Sequence, residues 1–477
     1  MKIILIKPYL PASQRTIATL PSGLLYLASY LKKQMPEIAV KVMDPDIFQE
    51  SGSKDSINSF IEDVVSEKPD IVGITVFSHV LPAVNQTAAL LKEALPQLCL
   101  IIGGYHVNAV GERSLDQIPL ADYAIYGEGE KSLVYFCRQF SQAGKVIDPE
   151  SIAGLIYRSA DGFVSVPNTY MGDLDEFDPL DFSLINLQDY FAFGSPMGVF
   201  RRGNHVAQMI TTRGCPFLCT FCAASLNMGK KVRRRSVKNI IQEIETLLLL
   251  GADEIHIMDD NFTLHREHVI NLCQEIVNRG IKTQFCMPNG VRLDLLDEEM
   301  LVWMKRAGWY HLGFGVEVGS DEALKNIKKN LSMAKISEKI RLIKKVGGMT
   351  VTGFFILGLP HDTRESMKET AATPDRLGLD MASFGNFTPL PGTENYRELE
   401  ARGEISADYL PSFANGIVTY APKGISFAEL ARIQRSVVLQ YWLHPKRIVL
   451  VLTRLKPRDL IYALRRMYHI VFRPEVV

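Results

Sequence analysis

Short apolar runs alternate with stretches of helical period along most of the chain. In the first part the runs lie at 2–7, 40–43, 70–75, 98–102 and 123–126. Runs this short read as strands, and strands separated by helices predict right-handed βαβ units and a doubly wound parallel sheet over residues 1–145. The pattern then breaks. Runs at 155–158 and 162–166 flank an Asp161-Gly162 turn, which predicts a hairpin inside a linker of residues 146–200. The alternation resumes at Val206, with strands expected at 207–212, 254–258, 283–287, 311–316, 350–357 and 381–387. Six such units over residues 201–400 suit a partial (β/α)6 barrel better than a closed ring of eight. Residues 401–477 carry an apolar stripe at 426–444 and read as a helical extension. The expected fold is therefore α/β: a Rossmann-like parallel sheet, a partial barrel and a helical, basic C-terminal region.

Composition narrows the class. A chain of 477 residues accommodates two or three domains. Lys plus Arg and Asp plus Glu are equal at 53 each, so no global charge points to nucleic acid. The first apolar run is too short for a signal peptide, and no run of 18 apolar residues is present to span a membrane. Seven scattered cysteines do not make a disulfide framework, and a reducing cytoplasm is the expected location.

Three of those cysteines carry the strongest chemical signal. Cys215, Cys219 and Cys222 lie in Arg213-Gly214-Cys215-Pro216-Phe217-Leu218-Cys219-Thr220-Phe221-Cys222, at the expected carboxyl end of the first barrel strand. Thiolates in one compact loop bind an iron–sulfur cluster or zinc, and the paired groups usual in zinc sites do not follow. Three ligands on a four-iron cubane leave one iron open to a small molecule. CxxxCxxC with an aromatic residue before the last cysteine resembles the radical S-adenosylmethionine (SAM) superfamily. The resemblance implies a [4Fe-4S] cluster on these cysteines, SAM on the open iron, and reductive cleavage of SAM to a 5′-deoxyadenosyl radical. It also implies an external electron donor such as flavodoxin or ferredoxin. By the same resemblance Asp260, Asn289, Arg292 and Glu317, each near a strand end, hold the polar ends of SAM, and Phe221, Ile356 and Leu357 flank its adenine.

The first sheet has its own signal, since ligands of such sheets sit at the carboxyl ends of the strands. Glycines gather there, at Gly103-Gly104 and at Gly127-Glu128-Gly129. Taken alone they suit any nucleotide or flavin domain. Together with Leu20-Pro21-Ser22-Gly23, Val72-Gly73-Ile74-Thr75 and Tyr105-His106, their order resembles the cobalamin-binding domain that precedes many radical SAM domains. The residues that the resemblance assigns to cobalamin are Leu20, Ser22, Gly23, Thr75, Gly103, Gly104, Tyr105, His106, Gly127, Glu128 and Gly129. One departure matters. Where classical cobalamin domains carry D-x-H-x-x-G after the first strand, this chain has Ala18 and Leu20 at the aspartate and histidine positions. Base-off cobalamin is expected, with Leu20 under the corrin and with His79 and His106 as hydrogen-bonding loop residues.

The expected activity is that of a cobalamin-dependent radical SAM enzyme. The favoured reaction is methylation of an unactivated carbon, or of a phosphinate phosphorus, through the deoxyadenosyl radical and methylcobalamin. The alternatives are a cyclase or rearrangement enzyme of the anaerobic porphyrin-ester cyclase type, and a non-catalytic corrinoid sensor. Methylthiotransferases are disfavoured because residues 1–200 contain only Cys99 and Cys137, too few for a second cluster. The substrate is expected to be a small molecule. In the tail Lys446, Arg447, Arg454, Lys456, Arg458, Arg465, Arg466 and Arg473 outnumber Asp459 and Glu475. Such a basic amphipathic stretch suits either packing on the barrel or peripheral contact with an anionic membrane, which would go with a lipid-like or polycyclic substrate.

Overall fold

A computed structural model of the chain describes residues 1–10, 19–48, 56–142, 147–177, 179–193, 201–406, 408–412 and 417–454. The fold divides into two compact units. The first comprises Met1–Phe193, Gly214–Pro216 and Ala223–Asn239, and the second Gly194–Arg213, Phe217–Cys222 and Ile240–Val477. Cys215 with its two neighbours, and the stretch after Cys222, thus group with the first unit.

The first unit is built on β1 (Lys2–Ile6), β2 (Ala39–Met43), β3 (Ile71–Thr75), β4 (Cys99–Gly103), β5 (Tyr123–Ile125), β6 (Leu155–Ser159) and β7 (Gly162–Ser165), in the order 2-1-3-4-5-6-7. Strands β1 to β5 are parallel. Register explains the core. Ile4 pairs with Val72 and Val72 with Leu100, while Ile6 pairs with Ile74, Ile74 with Ile102 and Ile102 with Ala124. These residues line one face and pack with Phe60, Ile61 and Val64 of helix Ile57–Ser66 and Val84, Ala88 and Leu91 of helix Leu81–Ala94. The order 2-1-3-4-5 reverses between β1 and β3, and such sheets bind ligands at the carboxyl ends beside that reversal.

The hairpin expected in the linker is part of this sheet. Strand β6 pairs antiparallel with β5, and β7 with β6. Leu155 and Ile156 are fully buried there, and β5 would otherwise end the sheet as an open edge.

The second unit has six parallel strands in sequential order: β8 (Val206–Met209), β9 (Glu254–Ile257), β10 (Gln284–Met287), β11 (Trp309–Glu317), β12 (Thr350–Leu357) and β13 (Met381–Asn386). Strands β8 and β13 are its two edges, so the barrel is partial. Strand β8 stops earlier than the apolar run suggests, because Thr211 and Thr212 turn to the buried carboxylate of Asp259. Ser236 accepts from the Asn239 amide at 3.2 Å and so caps the first connecting helix, Val237–Leu249.

Helix Phe427–Trp442 covers the β13 edge. Gln434 donates to the Phe384 carbonyl at 3.4 Å and accepts from Asn386 Nδ2 at 3.1 Å. Helix Pro445–Arg454 follows, with Arg447 buried, bonded to Asp375 at 2.5 Å and stacked over Tyr441. One of the tail's basic residues is therefore committed internally. Lys456, Arg458, Arg465, Arg466 and Arg473 lie outside the described residues. No helix among the described residues is long and apolar enough to cross a membrane.

Candidate active site

All seven cysteines are reduced thiols, and they fall into two kinds. Cys99, Cys137, Cys273 and Cys286 are buried, which suits core residues. Burial pushes the Cys137 thiol up to about 12. Cys215 and Cys219 are half-buried and Cys222 is exposed. Three accessible thiols in one loop at a strand's carboxyl end are a donor set that fits an iron–sulfur cluster. Among the described residues no three His, Cys, Asp or Glu side chains are gathered as a ready-made metal cage.

Gly214 sets the start of the loop. Its φ is +101°, and a Cβ there would stand 2.5 Å from the Lys231 carbonyl oxygen. The next amide, of Cys215, donates to the Gly229 carbonyl at 3.1 Å.

In the second unit the strand ends carry the polar groups. After β9, Asp259 is buried and takes hydrogen bonds from Thr211 and Thr212 at 2.5–2.8 Å, while its neighbour Asp260 is exposed. Burial raises the Asp259 carboxyl, and the threonine bonds oppose that rise. Asn261, next along, is 2% exposed and its Oδ1 accepts no hydrogen bond. A buried acceptor left open at a strand end is what a bound cation or hydroxyl would satisfy. After β10, exposed Asn289 donates to the Met258 carbonyl at 2.8 Å. Arg292 bonds Asp294 at 2.8 Å and the Asn330 carbonyl at 3.0 Å, with its guanidinium 3.7 Å from the centre of the Phe217 ring. Through that ring it packs on the cysteine loop.

Strand β11 ends in strain. Glu317 has φ +71°, unusual for a residue with a side chain. Its Oε1 accepts from Lys329 Nζ at 2.7 Å and sits 1.8 Å from where a Cβ on Gly315 would be. Only glycine leaves room for that carboxylate. Burial lowers the Lys329 ammonium, but Glu317 and the Cys219 thiol outweigh burial and raise it. Lys329 thus stands charged beside both Glu317 and a motif cysteine. On β12, Ile356 is half-buried, whereas Leu357 is fully buried and turned into the core. Phe221 is half-buried.

In the first unit the assigned residues separate into two groups. Thr75, Gly103 and Gly104 end β3 and β4, and beside them Phe77 and Tyr105 stack at 5.0 Å while 38% and 44% exposed. An uncovered aromatic pair at the carboxyl edge, next to the strand-order reversal, fits a large planar ligand. Ser22 and Gly23 open helix Ser22–Gln34, and nothing lies within 4 Å of a Cβ built on Gly23. Gly127 and Gly129 lie after β5. The second group faces inward. His106 is 1% exposed, with Nδ1 at 3.0 Å from Ser78 Oγ and Nε2 at 2.9 Å from Gln117 Oε1. Burial lowers its pKa, and neither nitrogen is left for a ligand. Glu128 is buried and its Oε2 accepts from Arg233 at 2.6 Å and from the Met171 amide at 2.8 Å. Leu20 is buried as well, at 7% exposure, so its side chain offers little surface to a ring. His106 and Glu128 thus spend their polar atoms on partners within the protein, and Leu20 is buried beside the start of helix Ser22–Gln34.

Lys329, Asn261, Asn108 and Arg233 were not singled out from sequence. Asn261 had a signal, the polar run Asp259-Asp260-Asn261 at a strand end, but nothing local says which of the three faces inward.

Comparison with known proteins identifies a family for each of two stretches of the chain. The family model of the B12 binding domain matches residues 18–136, and that of the radical SAM superfamily matches residues 209–373. A cytidylyl-2-hydroxyethylphosphonate methyltransferase of Streptomyces wedmorensis is 29% identical, over 90% of this chain and 88% of its own. An anaerobic magnesium-protoporphyrin IX monomethyl ester cyclase of Rubrivivax gelatinosus is 28% identical, over 81% of this chain and 67% of its own. The fold matches that of OxsB, a cobalamin-dependent SAM radical enzyme solved with aqua-cobalamin, at a TM-score of 0.73 and 16% identity, covering 99% of this chain and 73% of that one.

Proposed function

Because the chain belongs to the cobalamin-dependent radical SAM enzymes, whose cofactors are a [4Fe-4S] cluster, SAM and cobalamin, we propose that it is a methyltransferase acting on an unactivated carbon or a phosphinate phosphorus of a small molecule. The observation that carries this reading is the reach of the methyltransferase similarity, which covers 90% of this chain and 88% of that methyltransferase. When bound, the cluster and an external reductant supply the electron that cleaves SAM to a deoxyadenosyl radical, and cobalamin supplies the methyl group.

The chain's own residues do the rest. Cys215, Cys219 and Cys222 hold the cluster. Asp260, Asn261, Asn289 and Glu317 offer acceptors for the ammonium and ribose hydroxyls of SAM, and Lys329 and Arg292 offer cations for its carboxylate. Ile356 and Phe221 flank the adenine. The Phe77–Tyr105 pair and the backbone at Thr75 and Gly103-Gly104 carry the corrinoid.

Cyclisation is the second reading, and the cyclase similarity favours it. The two consume SAM differently. Anaerobic turnover with methyl-labelled SAM should give S-adenosylhomocysteine and 5′-deoxyadenosine in near-equal amounts, together with labelled product. Deoxyadenosine without homocysteine product would replace methylation by cyclisation. No SAM cleavage with any substrate or reductant would leave only a corrinoid sensor.

A further inference from the structure

Asn108 uses both ends of its amide. It lies in helix Tyr105–Val110, which begins directly after Gly104. Its Oδ1 accepts from the Gly127 amide at 2.5 Å, and its Nδ2 donates to Asn227 Oδ1 at 3.0 Å. Asn227, 3% exposed, sits in helix Ala224–Met228, which starts two residues after Cys222, and its own Nδ2 donates to the Ala223 carbonyl at 3.1 Å. One residue therefore joins the loop after β4, the loop after β5 and the chain leaving the cysteine motif.

A second tie runs beside it. Glu128 follows Gly127 and is paired with buried Arg233 at 2.6 Å. Arg233 also donates to the Met228 carbonyl at 2.7 Å, at the end of the same helix. The next carbonyl, of Gly229, accepts from the Cys215 amide at 3.1 Å. Within the first unit the stretch after the motif is thus hydrogen-bonded to the loops that end the sheet, and the Cys215 amide is bonded to that stretch. Arg233 and Glu128 are each less than a tenth exposed, so neither leaves its partner without stranding a buried charge.

We infer that Asn108 and Glu128 are positioning residues that couple the two cofactor sites: a corrinoid on the β4 and β5 loops steadies the cysteine loop, and a cluster on the cysteines steadies the corrinoid loops. This rests on the placement of the corrinoid at those loops. Coupling between sites is reciprocal, and ordering one end of a shared element lowers the cost of ordering the other.

The test is hydroxocobalamin affinity, measured anaerobically by absorbance on the full chain with its cluster reconstituted and with its cluster stripped. Wild type should bind about fivefold or more tightly when the cluster is present, the lower end of ordinary couplings. Asn227→Ala removes the acceptor for Asn108 but leaves the Glu128–Arg233 tie, and should lower that ratio about twofold or more with the cluster-free affinity unchanged. A wild-type ratio of one overturns the inference, as does an Asn227→Ala protein with the wild-type ratio. A complementary measurement needs no variant: hydroxocobalamin should slow the loss of iron from wild type to a chelator, and equal rates with and without it overturn the coupling. Failure of the underlying placement has a different signature. Tyr105→Ala would then leave hydroxocobalamin affinity untouched while a coupling ratio above one persisted.

Discussion

Glu317 and Gly315 show how one side chain is made by the absence of another. The Glu317 carboxylate folds back over its own strand into space that any Cβ on residue 315 would fill. Gly315→Ala meets the end of a flexible side chain, not backbone, so the fold should survive while the carboxylate and its Lys329 partner are displaced. SAM affinity measured by equilibrium dialysis should fall about tenfold, the worth of roughly one charge-assisted hydrogen bond. Gly214 is the opposite case. A Cβ there meets backbone, at a φ of +101° that disfavours any side chain. Gly214→Ala should lower iron content after reconstitution to well under half of wild type, since Cys215 moves with it. Residue chemistry was partly legible in the sequence. The three cysteines announce themselves by spacing, and the glycines by clustering at strand ends. Lys329 did not, because it arrives from a loop after helix Asp321–Asn326, at no periodic position, and meets Glu317 only in three dimensions. The pair Asp259 and Asp260 shows a further limit: composition makes them equal, and only the turn of Thr211 and Thr212 decides which one is buried.

Among the elements, β11 departs furthest from expectation. Its pairing with β10 shifts between Phe285 and Cys286, so that Phe285 faces Trp309 and Cys286 faces His311. A bulge re-aims side chains, and here Tyr310 reaches Glu254 at 2.6 Å while His311 meets Cys286 Sγ at 3.2 Å and Thr352 Oγ1 at 2.9 Å. Glu254 also takes His256 at 2.6 Å. Burial, with a further push from His256 against an opposing pull from Glu254, lowers the His311 pKa to about 4. The unfolded chain takes up a proton at this residue near pH 6.5, and the folded chain only near 4. Stability is therefore full above about 6.5 and falls as pH drops toward 4, by about 3 kcal/mol for this group. Urea midpoints across that range should show the fall, and His311→Gln should flatten it. The strand periods were readable because apolar runs are local. The bulge was not, since it depends on which neighbour a strand pairs with. The hairpin β6–β7 was likewise visible as a hairpin and invisible as part of the first sheet, because its partner β5 lies some thirty residues back.

At the scale of the whole molecule the structure bears on the state of bound cobalt. His106 is occupied by Ser78 and Gln117, so it cannot serve as a lower ligand without breaking both bonds. Co(II)-loaded protein should show no imidazole nitrogen splitting in its electron paramagnetic resonance spectrum, and His79→Ala should leave that spectrum unchanged; a histidine-type signal in wild type would refute base-off binding. The two sheets were legible from the alternation of strands and helices, whereas packing between residues distant in the chain was not. By chain order the first unit ends in the linker, whereas by contact it also owns Gly214–Pro216 and Ala223–Asn239. Arg233 and Arg235 lie in that borrowed stretch, the one paired with Glu128 and the other within reach of Tyr26. A gene cut in the linker would leave Glu128 buried with no arginine to meet it. Recombination at that point, in the laboratory or in evolution, would carry off a corrinoid module missing part of its own interior. A crossover past residue 239 would fail in the opposite way, since it would take β8 from the second sheet, so the two modules are sewn into one heritable piece.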